Sequence, residues 1–218
     1  MEANGHRAVV APIMQPRTLA WDWPEAAFDA LLLTSPRALG DARAPTHLAA
    51  VPVHAVGPAT AEAARRAGFG DVREGPGGGG QQLLDTLEPP PARLLWLAAR
   101  DRTALVPPPG TALTIVESYA VDPVALGAQA LALLRAGEID RVLLHSARIA
   151  AHFAFLIDRA AVARATVALG ALSQAVADAA GAGWRNVRVA MRADDPALLH
   201  ACGLMAPGYG AVDDPAGG

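Results

Sequence analysis

The residues best placed to do chemistry in this chain are small hydroxyls and glycines where an apolar run gives way to a helix. In VHAVGPATAEAARRAGF, residues 53–69, the apolar Val53, Ala55 and Val56 stop at Gly57-Pro58, and a segment rich in Ala, Glu and Arg runs on to Gly68. Gly57 suits a helix cap and Pro58 the first helical position. The amides of Ala59, Thr60 and Ala61 then lack carbonyl partners within the helix and sit at the positive end of its dipole, which attracts anions. The usual nucleotide loops do not fit. The chain contains no lysine, so no Gly-Lys-Ser/Thr loop exists, and one glycine in the turn falls short of GxGxxG. Taken alone, the turn is equally well a plain helix start.

A second copy changes that weight. FDALLLTSPRAL at 28–39 resembles IDRVLLHSARIA at 139–150, matching Asp29, Ser35 and Arg37 to Asp140, Ser146 and Arg148. GPATAEAA at 57–64 resembles GALSQAVA at 170–177, which puts Gly170 and Ser173 where Gly57 and Thr60 stand. Each half therefore ends two strands in hydroxyls or glycines above helix N-termini. Parallel α/β sheets bind ligands at that carboxyl edge, and two such edges facing one another would line a cleft.

The elements that must position these residues follow from the apolar pattern. Runs at 8–11, 30–34, 53–56, 94–98, 113–117, 141–145, 165–169 and 187–190, with the weaker 72–74, read as short buried strands. Ala-rich segments at 58–67, 122–135, 146–160 and 173–181 read as helices, and the alternation predicts two parallel α/β sheets covered on both faces. GPGGGGQQ at 75–82 reads as a turn before a helix from Gln81 to Leu87, and the Pro-rich 88–92 and 106–110 as stiff connectors. Asp194-Asp195 before Pro196 reads as a helix cap.

Composition sets the bounds. The 218 residues, 52% hydrophobic and 18% charged, suffice for one large or two small domains with a real core. A net charge of −3 argues against a general nucleic-acid or anionic-membrane binder. All 18 basic residues are arginines, the side chain best suited to gripping carboxylates. One cysteine, Cys202, excludes an internal disulfide and fits a reducing, cytoplasmic setting. No signal peptide or membrane-length apolar run is visible. The histidines at 6, 47, 54, 145, 152 and 200 show no metal-ligand spacing, and Ser35 and Ser146 sit in no GxSxG elbow.

The ordered set FDALLLTSPRAL, AVGPATAEAARRAG, LLWLAARDR, TIVESYAV, IDRVLLHSARIAAHF and ALSQAVADAAGAGWRNVRVA resembles the uroporphyrinogen-III synthase family over nearly the whole chain to about residue 200. The resemblance implies two flavodoxin-like parallel-sheet domains joined by a two-stranded linker. Domain one would comprise 1–16 and 121–203, with domain two, 17–120, inserted into it and 204–218 a disordered tail. Domain one would lack the family's opening strand and helix, with Asn4-Gly5 the end of that helix.

The implied activity is that of a cyclising hydro-lyase of heme biosynthesis. It would convert hydroxymethylbilane, a linear tetrapyrrole with an acetate and a propionate on every ring, to uroporphyrinogen III, with loss of water and inversion of the last ring. No cofactor is implied, the protein is expected to be a monomer, and hydroxymethylbilane synthase is a candidate partner enzyme. Thr34, Ser35, Gly57, Thr60, Ala61, Ser146 and Ser173 would supply neutral donors to the carboxylates, each charge-assisted bond being worth about 1.5–3 kcal/mol. Arg100 is the candidate cation, with Arg37, Arg102 and Arg148 near the same edges. Tyr119 matches the family's linker tyrosine. A phenol with a pKa of about 10 stays protonated at neutral pH and can help the hydroxyl leave. Its alternative role is a linker aromatic packed on a domain.

Two positions depart from the family. His145 stands where Thr or another small residue is usual, and Gln174 where Pro often follows the serine. Neither forbids activity, but together with the missing opening strand they keep open a reading from another class: a synthase-like module that binds tetrapyrroles or other carboxylates without turnover.

Overall fold

The four residues Ala30–Leu33 are entirely buried, which only a strand covered on both faces achieves. Leu31 and Leu33 enter one hydrophobic cluster, with Leu95, Leu97, Ala64 and Phe69; Ala30 and Leu32 enter another, with Leu84, Leu94, Trp96 and Ala98. Each buried leucine contributes about 1.5–3 kcal/mol relative to exposure. The structure, a computed structural model, describes residues 6–77 and 79–204. It divides into two compact units, one holding residues up to Gln15 and from Pro123 onward, the other Pro16–Asp122.

A six-stranded sheet, which belongs to the second unit apart from Met14, Gln15 and Pro123, is built from β1 (Met14–Thr18), β2 (Ala30–Leu33), β3 (Val53–Ala55), β4 (Val72–Glu74), β5 (Arg93–Ala99) and β6 (Ala112–Pro123), in the order β1-β6-β5-β2-β3-β4. From β6 to β4 all neighbours are parallel. At the outer edge, bonds from Leu19 N to Ser118 O and from Val124 N to Ile13 O run the strands in opposite directions.

Helix α1 (Pro58–Ala67) starts at Gly57 and stops at Gly68. The stop requires glycine, because Gly68 has φ +100 and caps the last turn through bonds to Ala64 and Arg65. Its buried face is alanines with Thr60, small enough for the helix to lie close on the sheet. Helix α2 (Gly80–Asp85) buries Leu83 and Leu84 in the cluster on the opposite face.

In the first unit β7 (Arg141–Leu144), β8 (Ala168–Ala171) and β9 (Asn186–Val189) form a parallel sheet in that order. Around it lie α3 (Ala128–Ala136), α4 (Ala147–Arg159), α5 (Gln174–Ala180) and α6 (Asp195–Ala201). The stripe Ala150, Phe153, Ala154 and Ile157 buries α4 in the core, where Phe153 stacks on Trp184.

Several expectations are corrected. Residues 8–11 form no strand: Val10 is 87% exposed, so the run has no surface to pack on, and pairing starts at Met14. The strand expected at 165–169 begins at Ala168, because Arg164–Thr166 forms a 3-10 turn tied by Thr166 Oγ1 to the Ala163 carbonyl. The helix expected from residue 122 begins at Ala128, because β6 continues to Pro123. The Asn4-Gly5 helix end lies outside the described residues, as does all but residue 204 of the expected tail.

Candidate functional site at the carboxyl edges of the parallel strands

The register of the parallel pairs fixes which residues share an edge. Leu33 is level with Ala55 and Leu97, and Ala99 with Tyr119, so Thr34-Ser35, Gly57 and Arg100 all emerge at the carboxyl edge of the second unit. In the first unit Leu144 is level with Ala171, which puts Ser146 and Ser173 at the matching edge.

The hydroxyls are engaged in different ways. Ser35 Oγ accepts from Arg37 N at 3.3 Å and caps a 3-10 turn at Pro36–Ala38, and Ser146 Oγ accepts from Ile149 N at 3.2 Å and caps α4. Thr34 Oγ1 accepts from the Trp96 indole at 3.2 Å. Each of these hydroxyls spends a lone pair within the fold, and its own hydrogen is what it can give to a ligand. Ser173 caps α5 by its backbone with no side-chain bond.

The opening turn is less open than its sequence suggests. The amides of Thr60 and Ala61 both donate to the Gly57 carbonyl at 3.0 Å, because the cap residue's carbonyl already accepts the first helical bonds. Thr60 is only 5% exposed and Ala61 is fully buried on the sheet. In the first unit the residue equivalent to Gly57 is Ser173. Gly170, matched to Gly57 on sequence, lies within β8, and a Cβ there would fall against Cys202 Sγ and within 2.8 Å of Leu143 Cδ2. Its glycine serves close packing of α6 on the sheet.

Tyr119 owes its placement to a β-bulge. The register of β6 against β5 shifts between Ala98, level with Glu117, and Ala99, level with Tyr119. Without the extra residue Tyr119 would share a face with Glu117; with it, the half-buried ring packs with Val116 on the cluster of Leu31, Leu33 and Leu97. Arg100 donates from Nε to Glu117 at 3.3 Å, and its backbone amide donates to the Tyr119 carbonyl at 2.8 Å.

The sequence reading missed Glu117 and Trp96. Their signals were an acidic residue late in an apolar strand opposite RDR at 100–102, and an indole within a buried strand, whose N–H must find an acceptor. His145 is oriented by Asp195, its Nε2 lying 3.0 Å from Oδ1. Asp194 caps α6 by accepting from Ala197 N at 2.8 Å, as its place before Pro196 predicted. A depression of about 500 Å³ flanks β1, lined by Trp21, Trp23, Asp41 and Arg43 among others, and one of about 430 Å³ lies at the opposite, amino edge beside Asp29 and His54. Neither contains the hydroxyl, glycine, Arg100 or Tyr119 positions described above. Among the described residues no three His, Cys, Asp or Glu side chains converge as a metal site needs, and no helix is long and apolar enough to cross a membrane.

Among curated proteins none matches. Among solved structures, uroporphyrinogen-III synthetase from Helicobacter pylori 26695 is similar at 15% identity and TM-score 0.60, covering 92% of this chain and 97% of that one. A mutant uroporphyrinogen III synthase from the extremely thermophilic bacterium Thermus thermophilus aligns at 18% identity over 88% of this chain and 86% of that one, with a TM-score of 0.46. The first of these shows a shared α/β fold. The family model described as uroporphyrinogen-III synthase HemD matches residues 1–200, and with nearly the whole chain so matched, the protein belongs to the uroporphyrinogen-III synthase family.

Proposed function

We propose that this protein is a cyclising hydro-lyase that closes hydroxymethylbilane to uroporphyrinogen III, using donors at the carboxyl ends of its parallel strands to hold the substrate carboxylates. The observation that carries the reading is the family match over residues 1–200. The hydroxyls of Thr34, Ser35, Ser146 and Ser173 lie at strand ends where ligands of parallel sheets bind, which supports it further. In this reading Arg100 adds a cation, Gly57, Thr60 and Ala61 shape the turn beside it, and Tyr119 helps the terminal hydroxyl leave as water. The azafulvenium so formed is attacked by the substituted carbon of the last pyrrole, and a spiro intermediate rearranges with that ring inverted. The protein's share is orientation: it holds the chain so that inverted closure outruns plain head-to-tail closure. The protein works as a cytoplasmic monomer supplied by hydroxymethylbilane synthase, and its two units act as the two domains of the family.

The test is isomer analysis. Purified protein supplied with freshly made hydroxymethylbilane, without metal or cofactor, is expected to give the type III isomer. Only type I product from folded protein would overturn the reading and favour a binding module without turnover.

A further inference from the structure

The carboxyl edge of β5 carries a charge cluster that the hydroxyl donors and Tyr119 do not explain. Glu117 lies between two guanidiniums: Arg100 Nε donates to its Oε2 at 3.3 Å, and Arg102 Nη1 donates to its Oε1 at 3.0 Å. Arg102 is held by more than this pair. It also donates to the carbonyls of Ala99 at 2.9 Å and Arg100 at 3.2 Å. Its guanidinium lies 5.7 Å from the centroid of Trp96, whose indole is in turn bonded to Thr34. Arg102 is accordingly the least exposed of the three, at 23% against 52% for Arg100 and 42% for Glu117.

Such a cluster is built unevenly. The fold fixes Arg102, whereas Glu117 engages a single nitrogen on each guanidinium, although an arginine fork can give a carboxylate a planar pair of bonds. Two guanidiniums share this one carboxylate, and exposed ion pairs of this kind are weak and screened by salt. One carboxylate can therefore be exchanged for another at little cost, since the charge pairing is conserved. Hydrogen bonding, chiefly from Arg102, holds the Glu117 carboxyl below the usual carboxylate range, so at neutral pH it is an anion like the group it would give way to. The β-bulge also matters. It leaves Glu117 on the Trp96 and Ala98 face and sends Tyr119 to the other, separating the anion-holding group from the phenol.

We propose that Arg100 and Arg102 form a carboxylate subsite in which Glu117 is an internal competitor, displaced by an acetate or propionate arm of the ligand. The inference rests on the proposed reading that substrate carboxylates bind at this edge, and it gives Glu117 the task of keeping the subsite closed to weak, singly charged anions. A ligand carrying many carboxylates displaces Glu117 because its other arms are anchored at the same time.

The probe is uroporphyrin, a stable octacarboxylate, titrated by its fluorescence against folded wild-type protein and variants. Removing the competitor with Glu117→Gln is expected to tighten binding roughly two- to fivefold, the range that an exposed ion pair supports. Glu117→Ser is expected to do the same and guards against an effect peculiar to the amide. Arg102→Gln is expected to weaken binding by about tenfold or more and to abolish the gain when combined with Glu117→Gln. Unchanged or weaker binding in both Glu117 variants, or no uroporphyrin binding in any protein, would overturn the subsite. Failure to make the type III isomer would overturn the cyclase reading instead, so the two can fail separately.

Discussion

A polycarboxylate needs hydrogen-bond donors, and three of the candidate hydroxyls each already spend one lone pair within the fold. Ser146 accepts from Ile149 N, Ser35 from Arg37 N and Thr34 from the Trp96 indole, and none of these bonds uses the hydroxyl's own hydrogen. Ser35 and Ser146 thus cap helices, and in the proposed reading the same hydroxyls donate to the ligand. Tyr119 differs in that its ring is half-buried on the second unit's core, so the position is fixed by packing and only the phenol oxygen is left for chemistry. Tyr119→Phe keeps that packing and removes the oxygen. If the phenol assists departure of the hydroxyl, turnover is expected to fall by roughly ten- to a hundredfold while KM stays close to wild type, because only an interaction made in the transition state is lost. Steady-state formation of the type III isomer measures both. Unaltered turnover would return Tyr119 to a packing role.

Among elements, the two helix starts that look alike in sequence are held differently. At Gly57, with φ −163, a Cβ would meet nothing within 4 Å, whereas at Gly170 it would press on Cys202, Leu143 and Leu198, where α6 crosses β8. Gly170→Ala is therefore expected to destabilise the protein by about 1–3 kcal/mol, as overpacking does. Gly57→Ser, which adds a capping hydroxyl, is expected to be neutral or slightly stabilising. Urea unfolding compares them, and partial recovery in Gly170→Ala/Cys202→Ala would locate the strain at the sulfur. An undisturbed Gly170→Ala protein would mean that α6 yields freely.

The same contrast shows what could be read from the chain. Helix α1 was legible to the residue because Gly57-Pro58 and Gly68 are local signals, β2 because its run is apolar throughout, and β3 because the apolar Val53, Ala55 and Val56 flank His54 and stop at Gly57. The bulge beside Tyr119 and the Glu117 clamp depend on β6 meeting β5 and RDR at 100–102, distant pairings that no local pattern encodes. Gly170 was misassigned because GPAT and GALS align on a glycine that turns the chain in one case and packs against a helix in the other.

For the whole molecule, the charged groups with displaced pKa values bear on stability in one direction. Arginine hydrogen bonds hold four carboxyls below the usual range: Asp29 through Arg93, Asp71 through Arg73, Glu117 through Arg102, and Asp158 through Arg164. Their contribution is present above the unfolded carboxyl values of about 4 and is lost as pH falls through the lower folded ones. His54, in β3, is also displaced downward, first by burial and then by Arg73. It is a base, so above about pH 6.5 both folded and unfolded forms are neutral; below that the unfolded chain takes the proton first and stability declines. Acidification is therefore expected to weaken the protein in two stages, a shallow one starting near pH 6.5 from His54 and a steeper one starting near pH 4 from the carboxyls. Three of the four tryptophans, Trp21, Trp23 and Trp96, lie in the unit that contains His54, so intrinsic fluorescence during urea unfolding reports on the right part of the molecule. His54→Gln is expected to remove the first stage and leave the second. A wild-type midpoint that stays flat from pH 7 to 5, or a variant that keeps the early slope, would rule out His54 as its source.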